Sequence, residues 1–272
     1  MIDFDQIKRH RDCMRVAFDV VRARREQLAG LLHQHGYLPL AQVCECLKIS
    51  EATARRDLVA LARDRVITRT YGGALMDFNQ RFPSFRERLA KEHAAKYQIA
   101  MAALKQLVPG TTCFFDSGST VYAMAQALSV KSLRKLIVVT NNLPVAEVLG
   151  EVKGIEVHLL GGQYLTRQSI LLGDSARRSV RLWRFDLAVM GGEGMSPAGL
   201  WNSQQDVVLF QRTVMAQSRR SIFCLDASKL GREAPEFLRP WSEVDCLVTD
   251  ATAEQLKVAG IQLKRNQLVS IH

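Results

Sequence analysis

The chain has 272 residues, which at about 150 residues per domain suggests two domains. Hydrophobic residues make up 47% of the sequence and charged residues 24%, proportions that are typical of globular proteins and exclude a wholly disordered chain. No apolar run reaches the roughly 20 residues that a membrane-spanning helix needs, and residues 1–25 lack the apolar block of a secretory signal. The six cysteines include no Cys-x-x-Cys pair, so we expect reduced, buried thiols in a cytoplasmic protein.

The net charge of +10 is concentrated in the N-terminal part of the chain. Residues 1–110 carry 19 Lys and Arg against 12 Asp and Glu, whereas residues 111–272 carry 18 against 15. Such an asymmetry suggests contact with a polyanion, either nucleic acid or an anionic membrane surface. The charge favours nucleic acid without establishing it, because many enzymes are mildly basic.

Three helices are predicted at the N-terminal end. Residues 5–35 contain no Pro and have apolar residues at three- and four-residue steps, which predicts a helix. A short helix fits Leu40–Leu47, and Ser50 is a good N-cap for a third helix over Glu51–Arg63. Two short helices joined by a tight turn are typical of a helix-turn-helix.

The residues after the third helix predict a strand that would act as a wing. Val66–Tyr71 alternates like a strand, and Gly72-Gly73 forces a turn. The second helix of a helix-turn-helix enters the major groove with its N-terminal residues at the base edges, while Arg side chains reach guanine or hold phosphates. A surface helix with ordinary solvated charges is the alternative interpretation. The predicted DNA contacts are Ser50, Glu51, Thr53, Ala54, Arg55, Arg56, Arg69 and Tyr71.

From Pro109 onward, short β-rich runs alternate with stretches that are compatible with helices. This alternation predicts an α/β domain with a mostly parallel sheet that is covered on both faces. The predicted strands are Thr112–Phe115, Leu136–Thr140, Ile155–Leu160, Leu187–Met190, Ser221–Leu225 and Cys246–Thr249. The predicted helices lie around residues 86–107, 120–129, 143–150, 174–183, 204–218 and 252–259.

Small or polar residues follow almost every one of these strands at once. In open α/β sheets, ligands bind just outside the carboxyl ends of the strands, so five such turns predict one composite pocket. The turns are Asp116-Ser117-Gly118-Ser119-Thr120, Thr140-Asn141-Asn142, Gly161-Gly162, Gly191-Gly192 and Asp226-Ala227-Ser228-Lys229.

The residue types in these turns suit a phosphorylated sugar. Small residues before a helix let backbone N–H groups approach an anion, Lys229 adds a cation, and carboxylates can grip hydroxyl groups. Each element also has a purely structural explanation, because a Gly-Gly pair is often only a turn and an Asp after a strand is often an N-cap. The predicted ligand contacts are Asp116, Ser117, Gly118, Ser119, Thr120, Thr140, Asn141, Gly161, Gly162, Asp226 and Lys229.

Two segments closely resemble the DNA-binding signature of the DeoR family of bacterial transcriptional regulators. They are Ser50-Glu51-Ala52-Thr53-Ala54-Arg55-Arg56-Asp57-Leu58 and Arg69-Thr70-Tyr71-Gly72-Gly73-Ala74. Tyr71 stands where the family commonly has His, and Ala54 where it has Ile or Val. The resemblance extends to about residue 250 and implies a sensor domain that looks like ribose-5-phosphate isomerase.

By this resemblance, the protein represses carbohydrate catabolism genes, and a phosphorylated sugar or related metabolite relieves the repression. It would bind a double-stranded DNA operator as a homodimer or homotetramer. The same resemblance assigns effector binding to the eleven turn residues given above. The expected domains are a helical extension (1–21), a winged helix-turn-helix (22–76), a linker (77–92) and the sensor (93–272).

Enzymatic activity, a cofactor and a metal are not expected. The sequence contains no Gly-x-Ser-x-Gly motif, and His33-x-His35 and Cys44-x-Cys46 have the wrong spacing for usual zinc sites. Many family members carry a Lys where this chain has Gln211 or Arg212, depending on register, which argues against retained isomerase chemistry. The two alternatives are a sugar-phosphate isomerase or deaminase with a basic appendage, and a non-specific nucleoid binder without a ligand.

Overall fold

The computed structural model describes residues 19–32, 37–63, 67–70, 73–76, 84–131, 133 and 135–271. The chain divides into two compact units, Met1–Phe82 and Pro83–His272. The division falls inside the segment 77–92 that was predicted as a linker. The first helix, residues 19–32, extends across the boundary predicted between residues 21 and 22, and residues 1–18 of the predicted extension lie outside the described residues.

In the residues of the N-terminal unit that the structure describes, there are three helices and a small antiparallel sheet. The helices are α1 (residues 19–32), α2 (Leu40–Leu47) and α3 (Glu51–Arg63), and the strands are β1 (Tyr37–Pro39), β2 (Ile67–Thr70) and β3 (Gly73–Met76). The strand order is β1-β3-β2, so β2 and β3 form the hairpin of a wing. The bounds predicted for α2 and α3 are confirmed. The strand predicted over 66–71 is β2, whereas β1 and β3 were not predicted.

Local backbone chemistry sets the tight turn between α2 and α3. Lys48 ends α2 in the left-handed conformation, at φ 51°, and the Ile49 N–H donates to the Cys44 carbonyl at 3.1 Å. The Ser50 hydroxyl then accepts the Thr53 N–H at 3.3 Å, as an N-cap does. A core shared by the three helices, β1 and β2 holds the turn in place; it is formed by Leu28, Leu32, Leu38, Val43, Ala54, Leu58, Leu61 and Ile67.

The C-terminal unit is built on a seven-stranded parallel sheet with the order β15-β14-β12-β9-β4-β5-β6. Its strands are β4 (Thr112–Phe115), β5 (Leu136–Thr140), β6 (Ile155–Leu159), β9 (Leu187–Met190), β12 (Ser221–Cys224), β14 (Cys246–Thr249) and β15 (Leu268–Ser270). Its helices are α4 (Phe85–Leu89), α5 (His93–Leu104), α6 (Ser119–Ser129), α7 (Leu143–Gly150), α8 (Asp174–Val180), α9 (Gln205–Ala216) and α10 (Ala253–Val258). The predicted α/β architecture is confirmed.

Both faces of this sheet are buried, as the runs of consecutive apolar residues predict. Along β4, Phe114 belongs to one hydrophobic cluster, while Cys113 and Phe115 belong to the other. Cys224 and Cys246 are also buried. Burial raises the pKa of the Cys113 thiol to about 11, so this thiol stays protonated at neutral pH.

Several short strands were not predicted. They are the hairpin β7 (Gln163–Leu165) and β8 (Ile170–Leu172), a second small sheet of β10 (Gly194–Ser196), β11 (Gly199–Asn202) and β13 (Glu236–Arg239), and the edge strand β15 of the main sheet. The single helix predicted over residues 86–107 is wrong, because Glu92 adopts φ 51° and separates α4 from α5. As a result, residues 85–89 of the predicted linker are helical.

Among the residues that the structure describes, no helix combines the length and the apolar character needed to span a bilayer.

Candidate functional sites

The first turns of α3 present a polar, exposed face. Ser50, Glu51, Arg55 and Arg56 are exposed, and Thr53 is partly exposed. Arg55 pairs with Glu51 at 3.2 Å, and both side chains are more than half exposed. An exposed pair of this kind contributes at most about 0.5 kcal/mol, so Arg55 can readily exchange Glu51 for a phosphate. Arg56 makes no ion pair within the described parts of the chain.

One predicted contact on α3 is wrong. The Ala54 side chain is fully buried in the core of the N-terminal unit, and its N–H donates to the Ser50 carbonyl at 2.9 Å. Neither group can therefore meet DNA from this position. Arg69 lies in β2 opposite Ala74, but its side chain is outside the described part of the structure, as is all of Tyr71.

A buried ion cluster that the sequence analysis missed connects α1 to α3. Asp57 is 1% exposed, and its two carboxylate oxygens accept the Nε of Arg24 at 2.6 Å and the Nε of Arg25 at 2.9 Å. Burial alone would raise the pKa of Asp57, but the two guanidinium groups outweigh it and the pKa is lowered. An Asp on the inner face of a helix requires such partners, and this was the available signal.

In the C-terminal unit, all five predicted turns lie at the carboxyl edge of the sheet, because they follow the parallel, neighbouring strands β12, β9, β4, β5 and β6. The first and fourth turns touch, since a Cβ atom on Gly191 would lie 3.4 Å from the Cα of Gly118. Ser119 and Thr120 are buried at the start of α6, where the helix dipole favours an anion. Ser117 is partly buried and donates to Asp116 at 3.4 Å.

Asp116 is a buried carboxylate held by neutral donors. It accepts the Gly191 N–H at 3.1 Å and the Gln211 Nε2 at 2.6 Å. Burial raises the pKa of Asp116, although these hydrogen bonds oppose the shift. Gln211 is fixed in turn by Asn202, whereas the Arg212 guanidinium donates to the backbone carbonyls of β13. Of the two positions that the sequence left open, Gln211 is therefore the neighbour of Asp116.

The second turn combines a structural residue with an available acceptor. Thr140 uses its hydroxyl to donate to the Phe115 carbonyl at 2.7 Å and to accept the Asn142 N–H at 3.0 Å, so it serves mainly to shape the turn. Asn141 donates to the Leu171 carbonyl of β8 at 3.2 Å, but its buried Oδ1 has no partner among the described residues. A buried unsatisfied acceptor costs about 1–3 kcal/mol, which a ligand hydroxyl would relieve.

The third turn has a structural explanation of its own. A Cβ atom on Gly162, whose φ is +150°, would lie 2.5 Å from the Leu172 carbonyl oxygen, so the backbone of β8 requires glycine there. Gly161 is exposed and borders open space. The contacts of this turn point to the β7–β8 hairpin rather than to a ligand.

A network of five charged side chains, of which only two were predicted, completes the edge. Glu193 is buried and accepts Arg88 Nη1 at 2.6 Å and Lys229 Nζ at 2.7 Å. Lys96 of α5 lies 3.7 Å from Asp226, which also accepts the Ser228 N–H at 3.1 Å. Burial would raise the pKa of Glu193, but Lys229 and Arg88 lower it overall. Burial lowers the pKa of Lys96, against the attraction of Asp226.

Comparison with known proteins agrees with this geometry. Residues 24–80 match the model of the DeoR-like helix-turn-helix domain, and residues 91–251 match that of the DeoR C-terminal sensor domain. The chain is 32% identical to the HTH-type transcriptional repressor GlcR of Bacillus subtilis (strain 168), over 84% of this chain and 88% of that protein. It is 31% identical to the glycerol-3-phosphate regulon repressor of Escherichia coli (strain K12), over 84% of this chain and 90% of that protein.

Among solved structures, ribose 5-phosphate isomerase A from Neisseria gonorrhoeae matches with a TM-score of 0.37 and 17% identity, over 49% of this chain and 52% of that chain.

A winged helix-turn-helix with an exposed basic recognition helix, joined in one chain to an α/β sensor unit, defines a DNA-binding transcriptional regulator. The family-model matches cover most of the chain and the relatives above are repressors, not enzymes. The chain belongs to the DeoR family of transcriptional regulators.

Proposed function

We propose that this regulator represses genes of carbohydrate catabolism and that a phosphorylated sugar or a related metabolite relieves the repression. The observation that carries the effector half of the proposal is the cluster of buried polar groups at the carboxyl edge of the sheet. Asn141 Oδ1 lacks a partner among the described residues there, and Lys229 supplies a cation. The repressor names of the two relatives, one of a glycerol-3-phosphate regulon, support the same conclusion.

The N-terminal unit would read the operator through α3 and the wing. Arg56 is positioned for a base or a phosphate, and Arg55 exchanges Glu51 for a backbone phosphate. Ser50 and Thr53 place hydroxyls at the start of α3, close to where a phosphate would lie. Arg69 and Tyr71 of the wing complete the proposed contacts with DNA.

The C-terminal unit would hold the effector in the turns after β4, β5, β9 and β12. Ser117, Ser119 and Thr120 with the start of α6 would bind the phosphate, while Asp116 and Asn141 would accept hydrogen bonds from sugar hydroxyls. Asp226 positions the turn that carries Lys229. The effector would then stabilise a conformation of the protein whose DNA-binding units no longer match the spacing of the operator half-sites.

The protein would act in the cytoplasm as a homodimer or homotetramer. A single helix-turn-helix contacts one half-site, which provides too little specificity against the non-specific sites of a genome. We further propose that the two units carry the two functions separately, and that the change from one unit to the other falls inside the predicted linker, residues 77–92.

The test is selection of genomic fragments by the purified full chain, followed by footprinting of the best fragment. A discrete, repeated half-site beside sugar-uptake or sugar-kinase genes, released by a sugar phosphate, is the expected result. Uniform and salt-sensitive retention of all fragments would instead indicate non-specific binding and contradict the proposal.

A further inference from the structure

The helix α4 (Phe85–Leu89) lies in a part of the chain that neither family model covers, since one ends at residue 80 and the other begins at residue 91. It is the first helix of the C-terminal unit. A complete capping box fixes its start, with Ser84 accepting the Glu87 N–H and Glu87 accepting the Ser84 N–H. This well-defined start positions Arg88 one turn later.

Arg88 is directed inward from α4. Its Nη1 donates to Glu193 at 2.6 Å across 105 residues of sequence, and its Nε atom is buried without a hydrogen-bond partner among the described residues. This Nε–H of Arg88 can donate to an oxygen of a further ligand. Each N–H group of an arginine needs an acceptor once it is removed from water.

The ion pairs of this network join three cations to two carboxylates. Arg88 and Lys229 pair with Glu193, and Lys96 pairs with Asp226 and is also attracted by Glu92. Glu193 carries the bonds to both Arg88 and Lys229, so it occupies the position between two cations that an external anion would also favour.

We propose that Arg88 and Lys229 bind the phosphate of the effector together with the start of α6, against which α4 packs through the Phe85 and Tyr122 rings at 5.5 Å, and that Glu193 is an internal counter-ion which the phosphate displaces. The inference rests on the proposed effector site and adds to it a residue, Arg88, from outside both family models. A phosphate monoester matches the site because it offers several oxygens and up to two negative charges to the two cations.

The same helix is connected to the second turn of the pocket through the β7–β8 hairpin. The Phe85 N–H donates to the Arg167 carbonyl at 2.8 Å, and Arg167 belongs to the loop between β7 and β8. That hairpin exchanges hydrogen bonds with Asn141, through the Leu171 N–H at 2.8 Å and the Leu171 carbonyl at 3.2 Å. Displacement of Glu193 from Arg88 would therefore change the contacts of α4, which directly follows the chain leading from the DNA-binding unit.

The experiment compares three variants of the full chain with the wild-type protein. The probes are inorganic phosphate, glucose 6-phosphate, fructose 1-phosphate, fructose 6-phosphate and glycerol 3-phosphate, with binding measured by calorimetry and by the shift in melting temperature. Arg88→Gln removes the guanidinium group proposed to bind the phosphate, and Arg86→Gln makes the same change at an exposed position of the same helix. Glu193→Gln removes the proposed counter-ion.

We expect Arg88→Gln to weaken binding of the tightest probe by about tenfold or more, while Arg86→Gln stays within about twofold of wild type. Glu193→Gln should bind the probe more tightly, since no internal carboxylate then competes for the cations. A merely structural role for Glu193 would give the opposite sign. If Glu193→Gln does not fold, the comparison of Arg88→Gln with Arg86→Gln decides the assignment of Arg88.

Two results would overturn the inference and leave the proposed effector site standing. Equal binding by wild type and Arg88→Gln would remove Arg88 from the site, and weaker binding by a folded Glu193→Gln would show that Glu193 supports ligand binding, directly or by holding the cations in place, instead of being displaced. Failure of the wild-type protein to bind any probe would contradict the proposed effector site itself, and the Arg88 assignment with it.

Discussion

The two units of the molecule hold their cations in opposite ways. On α3, Arg55 and Arg56 lie in solvent, and the partner of Arg55 is an equally exposed Glu51. In the C-terminal unit, Lys96 and Lys229 are largely buried and paired with carboxylates. Exposed cations attract a polyanion from a distance and lose affinity as salt rises, whereas buried cations select a small anion that can replace their partners. The exposed arginines of the N-terminal unit therefore suit DNA, and the buried lysines of the C-terminal unit suit a small anionic metabolite.

The N-terminal unit repeats this contrast within one helix. Asp57 is buried and joins α3 to α1 through two partly buried hydrogen bonds, while Glu51 of the same helix pairs with Arg55 in solvent. The buried cluster should hold the recognition helix in place, and the exposed pair should be exchangeable. Substitutions of the buried and the exposed carboxylate should therefore differ in their effect on stability.

Asp57→Ala should have the largest effect on stability. It leaves the guanidinium groups of Arg24 and Arg25 without their acceptor, and we expect the free energy of unfolding of the N-terminal unit to fall by about 2–3 kcal/mol, less than for a fully buried pair because the arginines are partly exposed. Hydrogen exchange of the α1 and α3 amides in the full chain measures this loss. A loss of stability as small as that of Glu51→Ala would show that the Asp57 cluster does not hold α1 and α3 together.

Arg56→Ala should weaken operator binding by about 1–3 kcal/mol if Arg56 reads a base, with the loss confined to particular sequences. An even loss across sequences, with a reduced dependence on salt, would mean that Arg56 only holds phosphate. Arg178→Ala removes the same charge from an exposed position of α8 and serves as the control. Gel-shift titrations over a range of salt distinguish these results, and an unchanged footprint would exclude Arg56 from the recognition surface.

The stability of the N-terminal unit should also depend on pH through Asp57. Because the folded state lowers the pKa of Asp57 below its ordinary value of 3.8, its contribution is complete above that pH and is lost as pH falls through the lower folded value. Amide protection of α3 should therefore be constant from neutral pH to about pH 5 and fall below about pH 4. In Asp57→Asn this acid-dependent part should be smaller; an identical acid profile would assign the effect to other carboxylates.

Glu51→Ala should have the smallest effect. Loss of an exposed pair with Arg55 changes stability by about 0.5 kcal/mol or less. Thermal unfolding of this variant beside Asp57→Ala compares an exposed and a buried carboxylate of one helix. A loss of more than about 1 kcal/mol would mean that the Glu51–Arg55 pair is structural and not readily exchanged for phosphate.

Local signals made much of the fold predictable. The bounds of α2 and α3 follow from the N-cap at Ser50 and from apolar spacing, and β4, β5, β9 and β14 are buried apolar runs that read as strands. The short strands β7, β8, β10, β11, β13 and β15 were missed, because most of them mix polar and apolar residues over only three or four positions and their pairing is set by distant parts of the chain.

The candidate sites divide along the same line. Parallel strands bring their following turns to one edge, so the place of Asp116, Asn141 and Lys229 was predictable from the order of elements alone. The partners of Asp57 and Glu193 were not, since 33 residues separate Arg24 from Asp57 and 105 separate Arg88 from Glu193. Ala54 was misplaced although a signal was available, because Ala54, Leu58 and Leu61 have the spacing of one helix face and all three lie in the core.

The most direct test of the account is the affinity of the full chain for its selected operator and for scrambled DNA at physiological salt, each with and without the tightest-binding sugar phosphate. We expect the affinity for the operator to exceed that for scrambled DNA by about a thousandfold or more. We also expect the sugar phosphate to remove this preference. Equal affinity for both DNAs, or an operator preference that no sugar phosphate changes, would contradict it.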